Sequence, residues 1–243
     1  MTTIPSDVAE FRARHRARHI GPRYRGWLHL AATSAGALAA IIVAIVMVDA
    51  PTWAELATVP VSFLIANAGE YLGHRGPMHH RRRAVAILYE RHVRQHHRFY
   101  THDAMAAESH RDFQMVLFPP VMLVFFLGAL ALPIGAALRI AISPNVGWLF
   151  GATAMSYFLT YEWLHLAYHL PPDGWVGRRA LVRRLRRHHT LHHDQRRMAH
   201  VNFNISFPIA DWVLGTMASP TPAGEAAGQG VAAVSPSAGG VVE

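Results

Sequence analysis

The chain has 243 residues, no cysteine and a formal charge of +8, and 51% of its residues are hydrophobic. Without cysteine, disulfides and thiolate metal sites are excluded, so a bound metal must be held by imidazole, carboxylate or water. A high apolar fraction with a strongly basic charge is unusual for a soluble globule and typical of a membrane protein with basic cytoplasmic loops.

The N-terminal residues 1–26 form a basic segment with six arginines and only two acidic residues, Asp7 and Glu10. Such a run of arginines is typical of a solvated or membrane-surface arm. Nothing in it resembles a groove-reading module, so we expect no nucleic-acid partner. We therefore predict a basic arm that precedes the main domain.

Four apolar segments follow the basic arm. A helix rises about 1.5 Å per residue, so about 20 residues cross a hydrocarbon core of roughly 30 Å. The first segment is longer than the h-region of a signal peptide and is expected to be retained. In the third, the sequence LPIG at 132–135 predicts an end near residue 132 and a short bent or interfacial continuation. The predicted spans are 30–48, 53–71, 116–132 and 146–168.

The distribution of arginine predicts how these spans are oriented. With four spans, residues 1–26, 74–112 and 170–200 share one face and hold six, eight and eight arginines, whereas the other face holds only Arg139. The positive-inside rule assigns the arginine-rich face to the cytoplasm. We predict an all-α, multi-pass protein of a bacterial inner membrane, with one membrane domain at 27–217, a cytoplasmic histidine-rich helical cap and a disordered tail at 218–243.

Twelve of the 18 histidines lie in two blocks, each following an apolar segment. The blocks are His74, His79, His80, His92, His96 and His97, and then His165, His169, His188, His189, His192 and His193. Residues three or four apart share a helix face. The sets expected to point at a common centre are His92 with His96, His165 with His169, and His189 with His192 and His193. Imidazoles favour Fe, Zn, Cu or Ni over Mg or Ca, and so many ligands predict a shared site with two ions.

The order and spacing of these histidines resemble the fatty acid hydroxylase/sterol desaturase superfamily of integral-membrane, histidine-rich dimetal oxygenases. The resemblance covers about residues 55–217 and includes the closing sequence NFNISFPIADWVLGT, in which Asp211 precedes a Gly-Thr pair. The four histidine motifs are His74-x4-His79, His92-x3-His96-His97, His165-x3-His169 and His189-x2-His192-His193. The resemblance implies that these ten histidines are metal ligands, and catalytic residues beyond them stay unassigned.

Other polar residues near the motifs are expected to play supporting roles. His80 and His188 are predicted to lie beside ligands or to face solvent, and His200 is a candidate for a further ligand. A ligating histidine commonly gives its second N–H to a carboxylate, carbonyl or water. The carboxylates expected to orient the ligands, or to bridge two ions, are Glu70, Glu90, Glu162, Asp103, Asp194 and Asp211. The histidines expected to be solvated or satisfied without metal are His15, His19, His29, His102 and His110.

The resemblance also implies a reaction. It predicts a non-haem di-iron monooxygenase of lipid biosynthesis that uses O2 to hydroxylate a C–H bond of a membrane lipid, fatty acyl or sterol-like, although zinc fits the same imidazole site. Lipid desaturation and carotenoid hydroxylation use the same centre and stay open. Because no haem-binding domain precedes the first span, we expect a separate electron donor, which could be a reductase, a ferredoxin or a cytochrome.

Two non-enzymatic interpretations compete with the enzyme. A membrane protein that binds or carries metal would need ionisable residues in the middle of its spans, whereas the middles of 30–48 and 116–132 are apolar. A basic lipid-binding membrane protein would leave the histidine spacing unexplained. The enzyme is therefore the favoured interpretation.

Overall fold

A computed structural model describes residues 4–218, and no β-strand forms within that range. The predicted all-α class is therefore confirmed. The predicted C-terminal tail at 218–243 lies outside the described residues, apart from Ala218.

The described residues form eleven α-helices, joined by shorter π-helical and 3₁₀ stretches. The α-helices are α1 (Ser6–His19), α2 (Gly26–Val46), α3 (Trp53–Leu56), α4 (Thr58–Gly73), α5 (Ala86–Tyr89), α6 (His97–Phe99), α7 (Pro120–Phe125), α8 (Leu132–Ala141), α9 (Pro144–His169), α10 (Ala180–His192) and α11 (Ile209–Val213). The π-helical stretches are His74–Met78, Glu90–His96 and Phe126–Ala131, and the 3₁₀ stretches are Arg83–Val85 and His110–Met115.

Two helical stretches of the described chain are long and apolar enough to cross a membrane, Gly26–Val46 and His110–Ala141. Only 17% and 11% of the residues in their most apolar windows are buried inside the protein, so their side chains, such as Ile42 and Ile140, face outward. A core helix of a soluble protein would bury that surface, so the two stretches support a membrane protein. The other two predicted spans correspond to α3–α4 and α9, and their place in a membrane stays a prediction.

The third apolar segment differs from its prediction. No break occurs at 132–135, because α7, the π-helical stretch and α8 follow one another without a gap to Ala141. The N–H of Leu132 bonds to the carbonyl of Leu127, five residues back. This wider turn directly precedes Pro133 and gives its ring the space that a regular α-helical turn would deny it.

Helix α9 is the centre of the fold and packs against α2, α4, α8 and α10. Its apolar half packs Met155 and Phe158 against Ala37 and Ile41 of α2. It begins at Pro144, a position where the missing N–H costs nothing, with Ser143 capping the N–H of Val146. It ends before the Pro-Pro pair at 171–172 and carries His165 and His169 in its last two turns.

The N-terminal segment is not a free arm. Helix α1 docks on the residues that follow the second histidine motif, and Arg12 is completely buried there. His15 is also buried and lies between the rings of Phe11 and Phe99. The prediction of a solvated or membrane-surface arm is therefore wrong at Arg12, which finds acceptors inside the protein that replace those of water, whereas Arg14 and Arg18 on the other face of α1 are exposed.

Candidate metal centre

The ten predicted ligands are all buried, and the fold gathers them into two groups of five. The first group is His74, His79, His92, His97 and His192, and the second group is His96, His165, His169, His189 and His193. Within each group one nitrogen per imidazole lies within 4.8 Å of every other. Two nitrogens bound to one ion at about 2.1 Å are at most about 4.2 Å apart. The limit of 4.8 Å within each group exceeds this separation only slightly, so each group is close to the size that holds one metal ion.

The two groups do not correspond to the two sequence blocks. The first group takes four histidines from the earlier block and His192 from the later one, and the second group takes four from the later block and His96 from the earlier one. Each block therefore contributes to both groups. The expectation of a shared site with room for two ions agrees with this arrangement.

The π-helical stretches explain which histidines pair in the first group. His74 and His79 are five residues apart, as are His92 and His97, and in both cases a π-helical stretch lies between them. A π-helix bonds residue i to i+5, so residues five apart approach one another. The predicted pairing of His92 with His96 is wrong, because it assumed an α-helical turn at this point.

Histidines that are adjacent in the sequence belong to different groups. Successive residues of a helix point about 100° apart, so in each of the pairs His96–His97 and His192–His193 one ring enters each group. The prediction that His192 shares a centre with His189 is therefore wrong, whereas His189 and His193, four apart, do share one. The rings of His97 and His193 stack with centroids 4.3 Å apart, which brings the two groups side by side.

Helix α10 is oriented by its apolar side chains. Val182, Leu185 and His189 recur every three or four residues and form its buried face. The two apolar members pack against Tyr161, Ala167 and Tyr168 of α9. The contact with α9 thus turns His189, and His192 one turn later, toward the histidines of the other elements.

Backbone carbonyls orient five of the ten rings through their Nδ1 atoms. In the first group His74 bonds to the carbonyl of Phe203, and His192 to that of Val201 at 2.9 Å. In the second group the bonds are His96 to Met115 at 2.8 Å, His169 to Met105 at 2.8 Å and His193 to Tyr100 at 2.6 Å. A carbonyl only accepts, so each Nδ1 must carry the proton and each Nε2 is left with a lone pair.

The predicted carboxylate partners act elsewhere, and none of their described hydrogen bonds reaches one of the ten rings. Glu70 binds the backbone of Ile205 and Ser206 and the hydroxyl of Tyr157. Asp211 binds the N–H groups of Phe203 and Asn204, and Glu162 binds that of Phe118. Glu90, Asp103 and Asp194 pair with Arg81, His102 and the N–H of Arg196. The prediction of direct carboxylate partners is wrong for the described residues, because backbone N–H groups and other side chains occupy these carboxylates, and backbone carbonyls orient five of the rings instead.

Asp211 nevertheless affects the first group through the backbone. Asn202 adopts a left-handed conformation with φ of 57°, which this residue type tolerates well. The chain therefore turns between Val201 and Phe203, whose carbonyls reach His192 and His74. The carboxylate of Asp211 fixes the far side of this turn by accepting two successive backbone N–H groups.

The nitrogen contacts inside the groups fit a metal better than they fit hydrogen bonding. The Nε2 atoms of His96 and His193 lie 3.2 Å apart, yet both rings carry their protons on Nδ1. Two lone pairs at that distance repel unless a cation lies between them. Further buried nitrogens have no partner in the described structure, namely Nδ1 of His79, His97 and His189 and both nitrogens of His165. The donor set therefore fits metal ions.

Burial keeps these imidazoles neutral, which metal binding requires. Loss of hydration lowers the pKa of His74 to about 4, that of His96 to about 3 and that of His79 to about 2, where the charge of His74 adds to the effect. Burial also places the pKa of His192 and His193 well below the ordinary value. The groups are thus ready to bind a cation without first releasing protons at neutral pH.

The remaining histidines lie outside both groups. His80 is exposed and bonds to the carbonyl of Arg75, and His188 bonds to Asp211 at 3.2 Å. His200 is exposed and is not part of either group. His29 is satisfied by Tyr24 and the carbonyl of Phe118, as expected for a histidine without a metal role.

An apolar cavity of about 370 Å³ reaches the first group. It lies between α4, the π-helical stretch at 126–131, α8 and α9, and His74 and Met78 form part of its wall. Most of the remaining wall consists of apolar side chains such as Ile65, Phe126 and Phe158. The cavity can therefore hold an apolar molecule beside the histidines.

Sequence reasoning identified the histidines but not the groups that orient them. No sequence signal marks the carbonyls of Tyr100, Met105 and Phe203, since every residue has one. Nor does any sequence signal mark Arg12, which stands within a run of arginines typical of a solvated surface.

Comparison with known families agrees with this site. The model of the family described as fatty acid hydroxylase matches residues 59–216, which include all ten histidines of the two groups. No curated protein and no solved structure shows significant similarity to the chain.

Proposed function

This chain belongs to the fatty acid hydroxylase family, and from that premise we propose that it is a membrane oxygenase that uses O2 to hydroxylate a C–H bond of a membrane lipid. The proposal combines three features: the family, the two buried histidine groups and the apolar cavity beside them.

The apolar cavity is the observation that carries this proposal. A metal carrier needs a polar route to its ions, whereas the space next to His74 is lined by side chains such as Ile65, Phe158 and Leu130. An acyl chain or another slender apolar group suits that lining, because such a group gives up no hydrogen bond when it enters an apolar cavity. The substrate we infer is a lipid whose apolar portion occupies this cavity.

The metal ions are expected to be two iron ions, one for each histidine group, with zinc able to occupy the same ligands. Bound iron supplies the electrons and the open coordination positions that O2 chemistry requires. The chain itself holds the imidazoles neutral, directs their Nε2 lone pairs inward through carbonyls such as Phe203 and Tyr100, and keeps bulk water away by burying all ten rings.

Polar side chains in the cavity wall are suited to position the substrate. The hydroxyl of Tyr157 contacts Asn67 at 3.0 Å and Ser206 at 2.5 Å, and Glu70 bonds to the same hydroxyl. Tyr157 and Glu70 also line the cavity. This network makes one side of the apolar cavity polar, and so it can set how far a lipid enters.

We propose four spans, formed by α2, α3–α4, α7–α8 and α9, in a bacterial inner membrane. The arginine-rich segments and both histidine groups then share the cytoplasmic face. The electrons come from a separate donor, a reductase, ferredoxin or cytochrome, and the arginines of α10 provide a basic surface for an acidic protein of that kind.

The test is a lipid profile of a bacterial host with and without the protein, measured by mass spectrometry under 16O2 and 18O2. A lipid that is heavier by one oxygen, labelled from 18O2 and absent with a His96→Ala variant supports hydroxylation. Loss of two hydrogens without label would instead indicate desaturation, and a labelled carotenoid would indicate ring hydroxylation. An unchanged profile, in a sample with bound metal and a supplied donor, would contradict the proposal and favour a metal-binding protein.

A further inference from the structure

Helix α1 lies outside the part of the chain that matches the family, yet its central arginine is the largest side chain that is completely buried. A buried guanidinium is costly unless every donor is satisfied. In Arg12 all three nitrogens have partners, so its surroundings are built around this charge.

The acceptors of Arg12 all lie on the loop that follows the second histidine motif. Its Nε donates to the carbonyl of Phe99 at 2.7 Å and one terminal nitrogen donates to that of Ala104 at 2.5 Å. The other terminal nitrogen binds Glu108 at 2.7 Å and the carbonyl of Ala106 at 3.3 Å. One planar side chain thus joins four points of the segment 99–108.

The two shorter backbone bonds have a specific position relative to the second histidine group. The carbonyl after Phe99 is that of Tyr100, which accepts from His193, and the carbonyl after Ala104 is that of Met105, which accepts from His169. Each carbonyl that orients one of these two histidines therefore directly follows a carbonyl held by Arg12.

Arg16, one turn further along α1, holds the same loop from its other end. It binds Asp112 through two nitrogens at 2.8 and 2.9 Å, and Asp112 accepts the N–H of Glu108 at 2.9 Å. The side chain of Arg16 is 23% exposed, whereas that of Arg12 is completely buried. Replacing Arg16 is therefore a second and milder way to weaken the contact between α1 and the loop.

The first histidine group is oriented from a different part of the chain. Its carbonyls belong to Val201 and Phe203, and the turn that carries them is held by Asp211. The two groups are thus oriented by different segments, and α1 acts on the loop that orients His169 and His193 of the second group.

We propose that Arg12 is a positioning residue of the second histidine group, and that α1 is part of the metal site. Arg12 holds the loop whose carbonyls fix the proton of His169 and His193 on Nδ1 and aim their Nε2 atoms inward. The inference rests on the proposed function only in that both groups bind metal. Outer partners of metal-bound histidines typically contribute 10-fold to 100-fold in metal affinity.

The experiment is a titration of the purified, metal-stripped, full-length protein with Co2+, with binding read from the visible spectrum of the ion. Arg12→Gln is compared with Arg14→Gln on the exposed face of α1, where Arg14 pairs only with Glu10. We expect Arg12→Gln to weaken one of the two sites at least about tenfold and to leave the other unchanged. Arg14→Gln should change neither site.

Adding Arg12→Gln to two ligand variants, which serve as backgrounds, identifies which of the two metal sites it affects. In His79→Ala, which leaves the second group intact, Arg12→Gln should weaken the remaining Co2+ site. In His165→Ala, which leaves the first group intact, the same change should have no effect. Equal weakening in both backgrounds would indicate a general loss of structure and would overturn the proposal, as would unchanged affinity in both.

Arg16→Gln, the milder variant, replaces Arg12→Gln if the latter does not fold. If circular dichroism shows that Arg12→Gln does not fold, Arg16→Gln is titrated in the same two backgrounds and must affect only the His79→Ala protein. Anything else from Arg16→Gln then overturns the proposal. Absence of Co2+ binding by the unmodified protein would instead contradict the proposed function, and the two failures are therefore distinguishable.

Discussion

His97 and His193 stack their rings at a centroid distance of 4.3 Å and an angle of 30°, and each belongs to a different histidine group. The contact joins the second and the fourth histidine motifs, which are far apart in the sequence. It places two candidate metal positions side by side, as cooperation between two ions requires. Disturbing one group should therefore abolish activity even when the other keeps its ion.

Single ligand changes should remove one ion at a time. His79→Ala removes a ligand of the first group and His169→Ala one of the second, and each should lower the metal content from about two ions to about one per chain. Lipid oxidation should be lost in both variants. Metal analysis by mass spectrometry, with His80→Ala as an exposed control, checks this. Full activity in both variants would refute the shared site.

Asp211→Asn should weaken the first group selectively. The carboxylate accepts the N–H groups of Phe203 and Asn204 and the hydroxyl of Thr216, and an amide can keep only part of this set. We expect weaker metal binding at the first group and a loss of about 1–3 kcal/mol in the free energy of unfolding. Asp194→Asn, at a surface turn, is the matched control, and equal effects of the two changes would contradict the prediction.

Gly69→Leu should shorten the lipid that the cavity accepts. Gly69 lines the cavity beside His74, and a Cβ added there would meet no atom within 4 Å, so the larger side chain enters empty space. Chain-length profiles of the oxidised lipids should shift to shorter or thinner substrates, while folding is retained. Gly151→Leu fills a separate cavity between α2, α8 and α9 and should leave the profile unchanged. The same profile in both variants would show that the lipid binds elsewhere.

His15 should make the docking of α1 sensitive to acid. Burial, together with the charges of His19 and Arg91, lowers its pKa to about 4, below the ordinary value of 6.5. The unfolded chain therefore binds the proton more readily, so this contribution to stability is full above pH 6.5 and is lost as the pH falls toward 4.

His15→Phe keeps the ring between Phe11 and Phe99 but removes the proton-binding site. The melting temperature should therefore fall less between pH 7.5 and pH 5 in His15→Phe than in the unmodified protein. His200→Phe, at an exposed position, should behave like the unmodified protein. An identical fall in all three proteins would contradict the assignment.

The sequence by itself determined the all-α class, the apolar character of the membrane segments and the identity of the ten histidines, because composition and spacing are local properties of the chain. Only the tertiary structure decided how those histidines divide. His92 and His96 look like partners at an α-helical spacing, yet a π-helical turn sends them to different groups. The hydrogen-bond partners of the rings could not be predicted from the sequence either, because a carbonyl such as that of Tyr100 becomes a partner of His193 only when folding brings the two together. Arg12 reads as one solvated charge among many until folding buries it against that loop, because the acceptors that offset its desolvation lie about 90 residues further along the chain.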